Sequence, residues 1–189
     1  MALISEVNRR MLLASAGATV AGSGAIRRRA AASNRDGRRD FAFLIGRWDV
    51  VHQRRLQHLA GGPRWERFKS RCIVTPILGG LGNIDDHVLD LPSDERHMAT
   101  LRLYDPVQDL WSIRSMDSRS PGIAGPAQGR FLDGVGVFHG AGAVGGEPER
   151  VRLIWSGVTR QAATFTRAVS TDDRRRWEMD WTMQFLRRS

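Results

Sequence analysis

The chain from Asp40 to its end predicts an all-β fold, a closed up-and-down antiparallel barrel of about ten strands with a short helix leading into the first. Three observations carry this expectation. Polar and apolar residues alternate with a period of two through most of these residues, which is the signature of half-buried strands. About ten such segments follow one another. The connections are mostly too short for a crossover helix, so sequential strands are antiparallel neighbours. A sheet of this size closes, because closure alone removes the unpaired edges that invite aggregation.

The helix comes first. Asp40 to Ile45 has room for about one and a half turns. Gly46-Arg47-Trp48 ends it and opens a strand of about 48 to 56, where Trp48, Val50, His52 and Arg54 alternate with Asp49, Val51, Gln53 and Arg55. Gly61-Gly62-Pro63 is the next turn. Phe68, Ser70, Cys72 and Val74 then alternate with Arg67, Lys69, Arg71 and Ile73 in a second strand. Further strands are expected at about 83 to 91, 98 to 104, 110 to 118, 128 to 132, 135 to 139, 150 to 158, 161 to 169 and 176 to 186. Leu78 to Gly82 reads as a bend; no lysine-serine pair or helix follows it, so it is not a phosphate loop. Asp105-Pro106 signals a type I turn, and Asp133-Gly134 a two-residue hairpin. Ser170 to Trp177 resembles the Asp-box hairpin of β-propeller sialidases, with Arg174 at the usual turn glycine. A single copy predicts a hairpin turn and no propeller.

Residues 1–37 stand apart from this pattern. Asn8-Arg9-Arg10-Met11 followed by the weakly apolar run to Ile26 resembles a twin-arginine export signal. Ser23-Gly24-Ala25 and Ala30-Ala31-Ala32 both suit a signal peptidase. The expected division is therefore a signal and disordered linker over 1–37 and a single barrel domain over 38–189, placed in the periplasm or elsewhere outside the cytoplasm. A basic tail on a cytoplasmic protein, with a start assigned too early, is the alternative. The apolar run is shorter than the roughly 20 residues that span a bilayer, so no stable membrane anchor is expected.

Charge excludes one class of partner. The formal net charge is +9, but the first 39 residues hold eight arginines against Glu6 and Asp36, and the remaining arginines scatter instead of forming a stripe. Nucleic acid is not an expected partner. Cys72 is the only cysteine, so no intramolecular disulfide is possible and an inert core thiol is expected. His52, His58, His87, His97 and His139 have no zinc-binding spacing, so no metal is expected. Oligomeric state is not legible.

The short helix, glycine and Gly46-Arg47-Trp48 resemble the G-x-W start of calycins, the lipocalin-like barrels. That resemblance implies that Trp48 plugs the closed end beneath the lumen and that Arg187 or Arg188 stacks across its ring. More narrowly, the chain is similar to an uncharacterised bacterial family of calycin-like proteins. Phe-Leu-Ile-Gly-Arg-Trp at 43 to 48, Leu78 to Asn83, Trp111 to Arg119, Gly129-Arg130-Phe131 and Trp177-Glu178 with Trp181 carry the similarity. The resemblance implies a fold and no established chemistry. Some bacterial calycins with a similar start bind haem through a histidine near the C-terminus; Trp181 to Ser189 contains none, and no cofactor is expected.

Alternation then assigns the lumen. With Trp48 inward, Val50, His52 and Arg54 follow, and the more apolar faces add Phe68, Ser70, Cys72, Trp111, Ser115, Asp117, Leu153, Trp155, Trp177, Met179, Trp181 and Met183. The candidate ligand-binding residues are Trp48, His52, Trp111, Asp117, Arg130, Trp155, Met179 and Trp181. Asp117 needs a partner such as Arg119, Arg130 or His52, and Asp85 or His87 joins the set if the third strand turns that face inward. The expected function is an exported barrel binding a small apolar or aromatic molecule in a tryptophan-rich lumen. Two alternatives stay open: a hydrolase, isomerase or lyase with Asp117 and His52 as acid–base pair, and a structural envelope protein whose lumen is filled.

Overall fold

A computed structural model describes residues 36–56, 64–91, 94–144 and 147–189. The expected export signal and the Gly61-Gly62-Pro63 turn lie outside these residues. Ten strands run in sequence: β1 (Gly46–Leu56), β2 (Arg64–Ile77), β3 (Gly82–Leu91), β4 (Asp94–Asp105), β5 (Leu110–Asp117), β6 (Ser120–Leu132), β7 (Val135–Val144), β8 (Glu147–Ser156), β9 (Ala162–Ser170) and β10 (Glu178–Arg187). Each pairs antiparallel with its sequence neighbours, and β1 closes on β10 through a register from Trp48–Arg187 to Arg54–Trp181. The result is a closed antiparallel barrel, with the order that short connections dictate.

The expected helix is two single 3₁₀ turns, Gly37–Arg39 and Ala42–Leu44. They seat the closed end. Phe41 and Leu44 are buried there with Trp48, Trp111, Phe131, Phe138 and Trp155. Phe41 meets Trp111 and Phe131 edge-on, with ring centroids 5.0 and 5.1 Å away, the geometry that ring quadrupoles favour. The indoles also fix the turn backbone: Trp48 Nε1–H donates to Leu44 O at 2.7 Å, and Trp111 Nε1–H to Gly37 O at 2.9 Å.

Gly46-Arg47-Trp48 works as its resemblance implies. Arg187, the last residue of β10, lies over the Trp48 ring with Cζ 4.2 Å from the centroid. Its Nε donates to Arg160 O at 2.7 Å and one terminal nitrogen to Ile45 O at 2.9 Å, while the other reaches Phe43 O. The glycine is required twice over. Its φ is +127°, and a Cβ there would stand 2.6 Å from the Arg187 guanidinium. At the other sequence-predicted turn, Asp133 and Gly134 have φ of +49° and +79°, the sign that a type I′ hairpin demands at both central positions.

Besides the register shifts of β5 against β6 at Ile113–Ser115 and Ser115–Asp117, two departures from regular pairing shape the lumen. In β10 the register shifts between Met179 and Trp181, so Asp180 is an extra residue and the side chains before it change face. Met179 is consequently 48% exposed, and Trp177 packs outside the wall under Arg152, whose Cζ is 4.4 Å from its ring. The β6–β7 ladder ends at Gln128–His139. Beyond Gly140, which still lies against Pro126 and Ala127, the two strands are unpaired with each other, although each keeps its other partner up to Ser120 and Val144.

Candidate functional site

The shear of the barrel brings inward polar residues of neighbouring strands onto one diagonal. His52 of β1 faces Phe68, two residues from Ser70 of β2; Ser70 faces Leu89, two residues from His87 of β3; Asp85 of β3 faces Thr100, two residues from Arg102 of β4. All five are buried. They form one hydrogen-bonded line: Trp181 Nε1 to His52 Nδ1 at 3.2 Å, His52 Nε2 to Ser70 Oγ at 2.8 Å, and Ser70 Oγ to His87 Nδ1 at 3.1 Å. His87 Nε2 then lies 3.8 Å from Asp85 Oδ2, and Arg102 2.7 Å from the same oxygen. Arg102 also donates to Asn83 Oδ1 at 3.1 Å, and Asp85 Oδ1 accepts from the Thr100 N–H at 2.7 Å.

The line has a direction. Burial, and secondarily the charges of His87 and Arg54, pushes the His52 pKa down to about 3, so this ring is neutral at ordinary pH. An indole N–H can only donate. His52 Nδ1 must therefore accept from Trp181, which leaves the proton on Nε2 for Ser70. The serine hydroxyl accepts that hydrogen bond and lies 3.1 Å from His87 Nδ1. Burial pushes the Asp85 carboxyl up, but Arg102 and His87 outweigh it and bring the pKa down to about 2. Asp85 and Arg102 are thus a buried ion pair.

Above this line lies a cavity of about 250 Å³. Leu153, Trp155, Phe165, Trp181, Met183 and Phe185 supply apolar walls, and His87, Arg102, Glu149 and Arg167 are its ionisable lining. It reaches the surface beside the β6–β7 parting, where its lining is small: Ala124 and Gly125 on one strand, Ala141 and Gly142 on the other, all exposed. Pro126, which also has no N–H to offer a neighbouring strand, follows Gly125. Near the open end, Arg167 bridges Glu149 and Asp180. Burial raises the Asp180 pKa to about 6, against the pull of Arg167.

Of the candidate ligand-binding residues, Trp155 and Trp181 line this cavity, as do the expected inward residues Ser115, Leu153 and Met183 and, because β3 turns that face in, His87. Trp48 and Trp111 are seated in the closed end, and His52 lies in the polar line behind the wall. Asp117 is not brought to His52. It ends β5 at the open rim, where Arg96 Nε donates to it at 2.8 Å and the Arg119 N–H at 3.0 Å. Arg130 points outward, because Gly129 and Phe131 take the inward positions, and lies 3.5 Å from Asp109 Oδ2. Met179 is outside the lining for the reason given by the Asp180 bulge. Arg102, Glu149 and Arg167 were missed. Their signal was present only as pairing, since a buried Asp85 demands a cation on a neighbouring inward position.

Among the described residues, one group has metal-ligating chemistry. Cys72 Sγ and one ligand atom each of Asp85 and His87 lie within 4.8 Å of one another. A cation there would compete with Arg102 for Asp85 and would need a thiolate, whereas burial and the Asp85 charge push the Cys72 thiol pKa up.

No family model matches the chain, and no curated protein matches it. Among solved structures it is similar to the S-type phycobiliprotein lyase CPES from Guillardia theta, with a TM-score of 0.52 and 10% identity over 82% of this chain and 94% of that one. The fold is calycin-like. At this identity the likeness is one of architecture, and it agrees with the plug of Trp48 and Arg187.

Proposed function

We propose that this protein is a small-molecule-binding calycin-like barrel of the uncharacterised bacterial family that its motifs resemble, exported through Arg9-Arg10, with an apolar or aromatic ligand held in the lumen. The cavity of about 250 Å³ between Trp155, Phe165 and Trp181 carries the reading. A filled core would have no such space, because interiors pack to crystal density and leave few voids larger than a water. The small residues at the β6–β7 parting supply a way in.

An acid–base enzyme is the second reading, and the imidazole at the cavity wall favours a different pair from the one the sequence suggested. His87 lines the cavity and Asp85 is 3.8 Å behind it. The Asp85 carboxylate is occupied by Arg102 and by the Thr100 N–H, which is how a structural ion pair is built, so binding is the better account.

The test is a fluorescence titration of the protein with an environment-sensitive apolar dye. Binding at submillimolar affinity with quenching of tryptophan emission is expected, and Leu153→Trp, which places a larger ring in the cavity, should abolish it. No dye binding, together with tryptophans that a neutral quencher cannot reach, would leave the structural envelope protein as the answer.

A further inference from the structure

The charges around the lumen and its open rim do not balance. Arg102 is matched by Asp85, Arg54 by Glu66 and Arg55 by Glu178. Arg167 is instead shared by two carboxylates, Glu149 and Asp180. With both ionised, this cluster carries one negative charge more than its guanidinium cancels. Burial, and after it the charge of Glu149, raises the Asp180 pKa to about 6 against the pull of Arg167 and Arg55, as a carboxylate crowded by a like charge requires. Nor does the chain solvate the surplus. Glu149 is 3% exposed, and Glu149 Oε2 and Asp180 Oδ1 are enclosed without a donor. These oxygens, like the enclosed donors Trp155 Nε1 and Arg102 Nε, have no surface open to the cavity and are not contacts for a ligand. The charge acts without contact, because in a poorly solvated site an unpaired charge is felt over several ångströms.

Two features direct that field into the cavity. Glu149 and Arg167 are part of its lining, and Glu149 faces Gly142 across the β7–β8 ladder, beside the small residues of the opening. The cavity's apolar walls are the rings Trp155, Phe165 and Trp181, whose quadrupoles present negative faces that attract a cation. An anionic ligand would add to the surplus with no guanidinium left over to pair it. A neutral one would leave the surplus standing, whereas a cation cancels it. Resting on the binding reading above, we propose that the ligand is an organic cation, an ammonium group on an aromatic or apolar body, with the body among Trp155, Phe165 and Trp181 and the charge beside the Glu149–Arg167–Asp180 cluster at the opening.

Three probes built on one benzyl group separate the possibilities: benzyltrimethylammonium, its neutral isostere neopentylbenzene, in which carbon replaces the nitrogen, and phenylacetate. Their affinities for the full chain are measured by displacement of a neutral apolar dye at pH 8, where imidazoles are ordinarily neutral. Benzyltrimethylammonium should bind at least as tightly as neopentylbenzene, although it alone gives up the hydration of a charge, and at least tenfold more tightly than phenylacetate. Glu149→Gln and Asp180→Asn each leave Arg167 with one carboxylate. In either variant the cation-to-neutral affinity ratio should fall about fivefold or more, and one variant suffices if the other does not fold. A merely structural role of the cluster would change both affinities together and leave the ratio alone. A neutral isostere that binds more tightly than the cation in the wild type, phenylacetate that binds as tightly as the cation, or a ratio unaltered by the substitutions overturns the proposal and leaves the binding reading standing. Failure of all three probes to displace a dye that does bind also overturns it. A dye that does not bind at all overturns the binding reading beneath it.

Discussion

Lowering the pH should destabilise this barrel above all through His52. In the unfolded chain its imidazole has an ordinary pKa near 6.5, and in the barrel burial brings that value down to about 3. Between these values the unfolded chain binds a proton that the native state does not, so stability is lost as pH falls below 6.5 and the loss continues to about pH 3. At 1.36 kcal/mol per unit, acidifying from pH 7.5 to 5 removes about 2 kcal/mol. Asp180 works in the opposite direction, because its raised pKa of about 6 makes the native state bind the extra proton between pH 6 and 3.8. His139, whose pKa burial also lowers, acts in the same direction as His52, so the pH dependence of the wild type alone does not isolate the His52 effect. The comparison with His52→Gln isolates it, since Asp180 is common to both proteins. Glutamine also keeps the polarity of the line, its carbonyl accepting from Trp181 and its amide donating to Ser70. Urea unfolding followed by circular dichroism should show the wild-type advantage over His52→Gln shrinking by about 2 kcal/mol between pH 7.5 and 5. A difference that is the same at both pH values within about 0.5 kcal/mol would mean that His52 titrates normally and that the directed line from Trp181 through His52 to Ser70 is misread.

Three further outcomes are expected. Trp48→Ala should cost about 3 to 5 kcal/mol in chemical unfolding, as for a fully seated aromatic, and a loss below about 1 kcal/mol would contradict the plug. Arg174 occupies a left-handed turn position with φ of +77°, where the Asp-box pattern has glycine; Arg174→Gly should stabilise the β9–β10 turn by a few tenths to 1 kcal/mol, and a destabilisation would show that the arginine side chain earns its place. Residues 1 to 40 fused to a folded reporter should carry it across the cytoplasmic membrane, and replacing Arg9 and Arg10 by lysine should stop it; transport that ignores the change removes the twin-arginine reading.

The strands were legible because alternation is a local property. Nine of the ten can be read from their own residues, and the closed order follows from short connections; β6 was expected only from 128 but starts at Ser120, because the glycines and prolines of its first half hide the alternation. The plug was legible through Gly46-Arg47-Trp48 and the terminal arginines. What alternation could not supply was the face of a residue beyond a bulge. Trp177 and Met179 continue the stripe of Trp181, Met183 and Phe185 in sequence, yet the extra residue Asp180 turns them out, and a bulge exists only relative to the partner strand. The same holds for the parting of β6 from β7, which is a relation between two chains of backbone. Arg102 illustrates the third limit. Its neighbours in β4 are ordinary strand residues, and its burial is decided by Asp85 across the ladder. Asp117 failed as a partner for His52 because β5 carries it to the rim, where Arg96 is nearer.

The central claim, an open apolar space in the lumen, can be seen directly by diffraction from crystals pressurised with xenon, which enters dry apolar cavities. The account predicts xenon among Leu153, Trp155, Phe165 and Trp181, and its absence from the closed end around Phe41 and Trp48, where the rings already touch. A lumen without xenon, its walls collapsed onto Trp155, would contradict it.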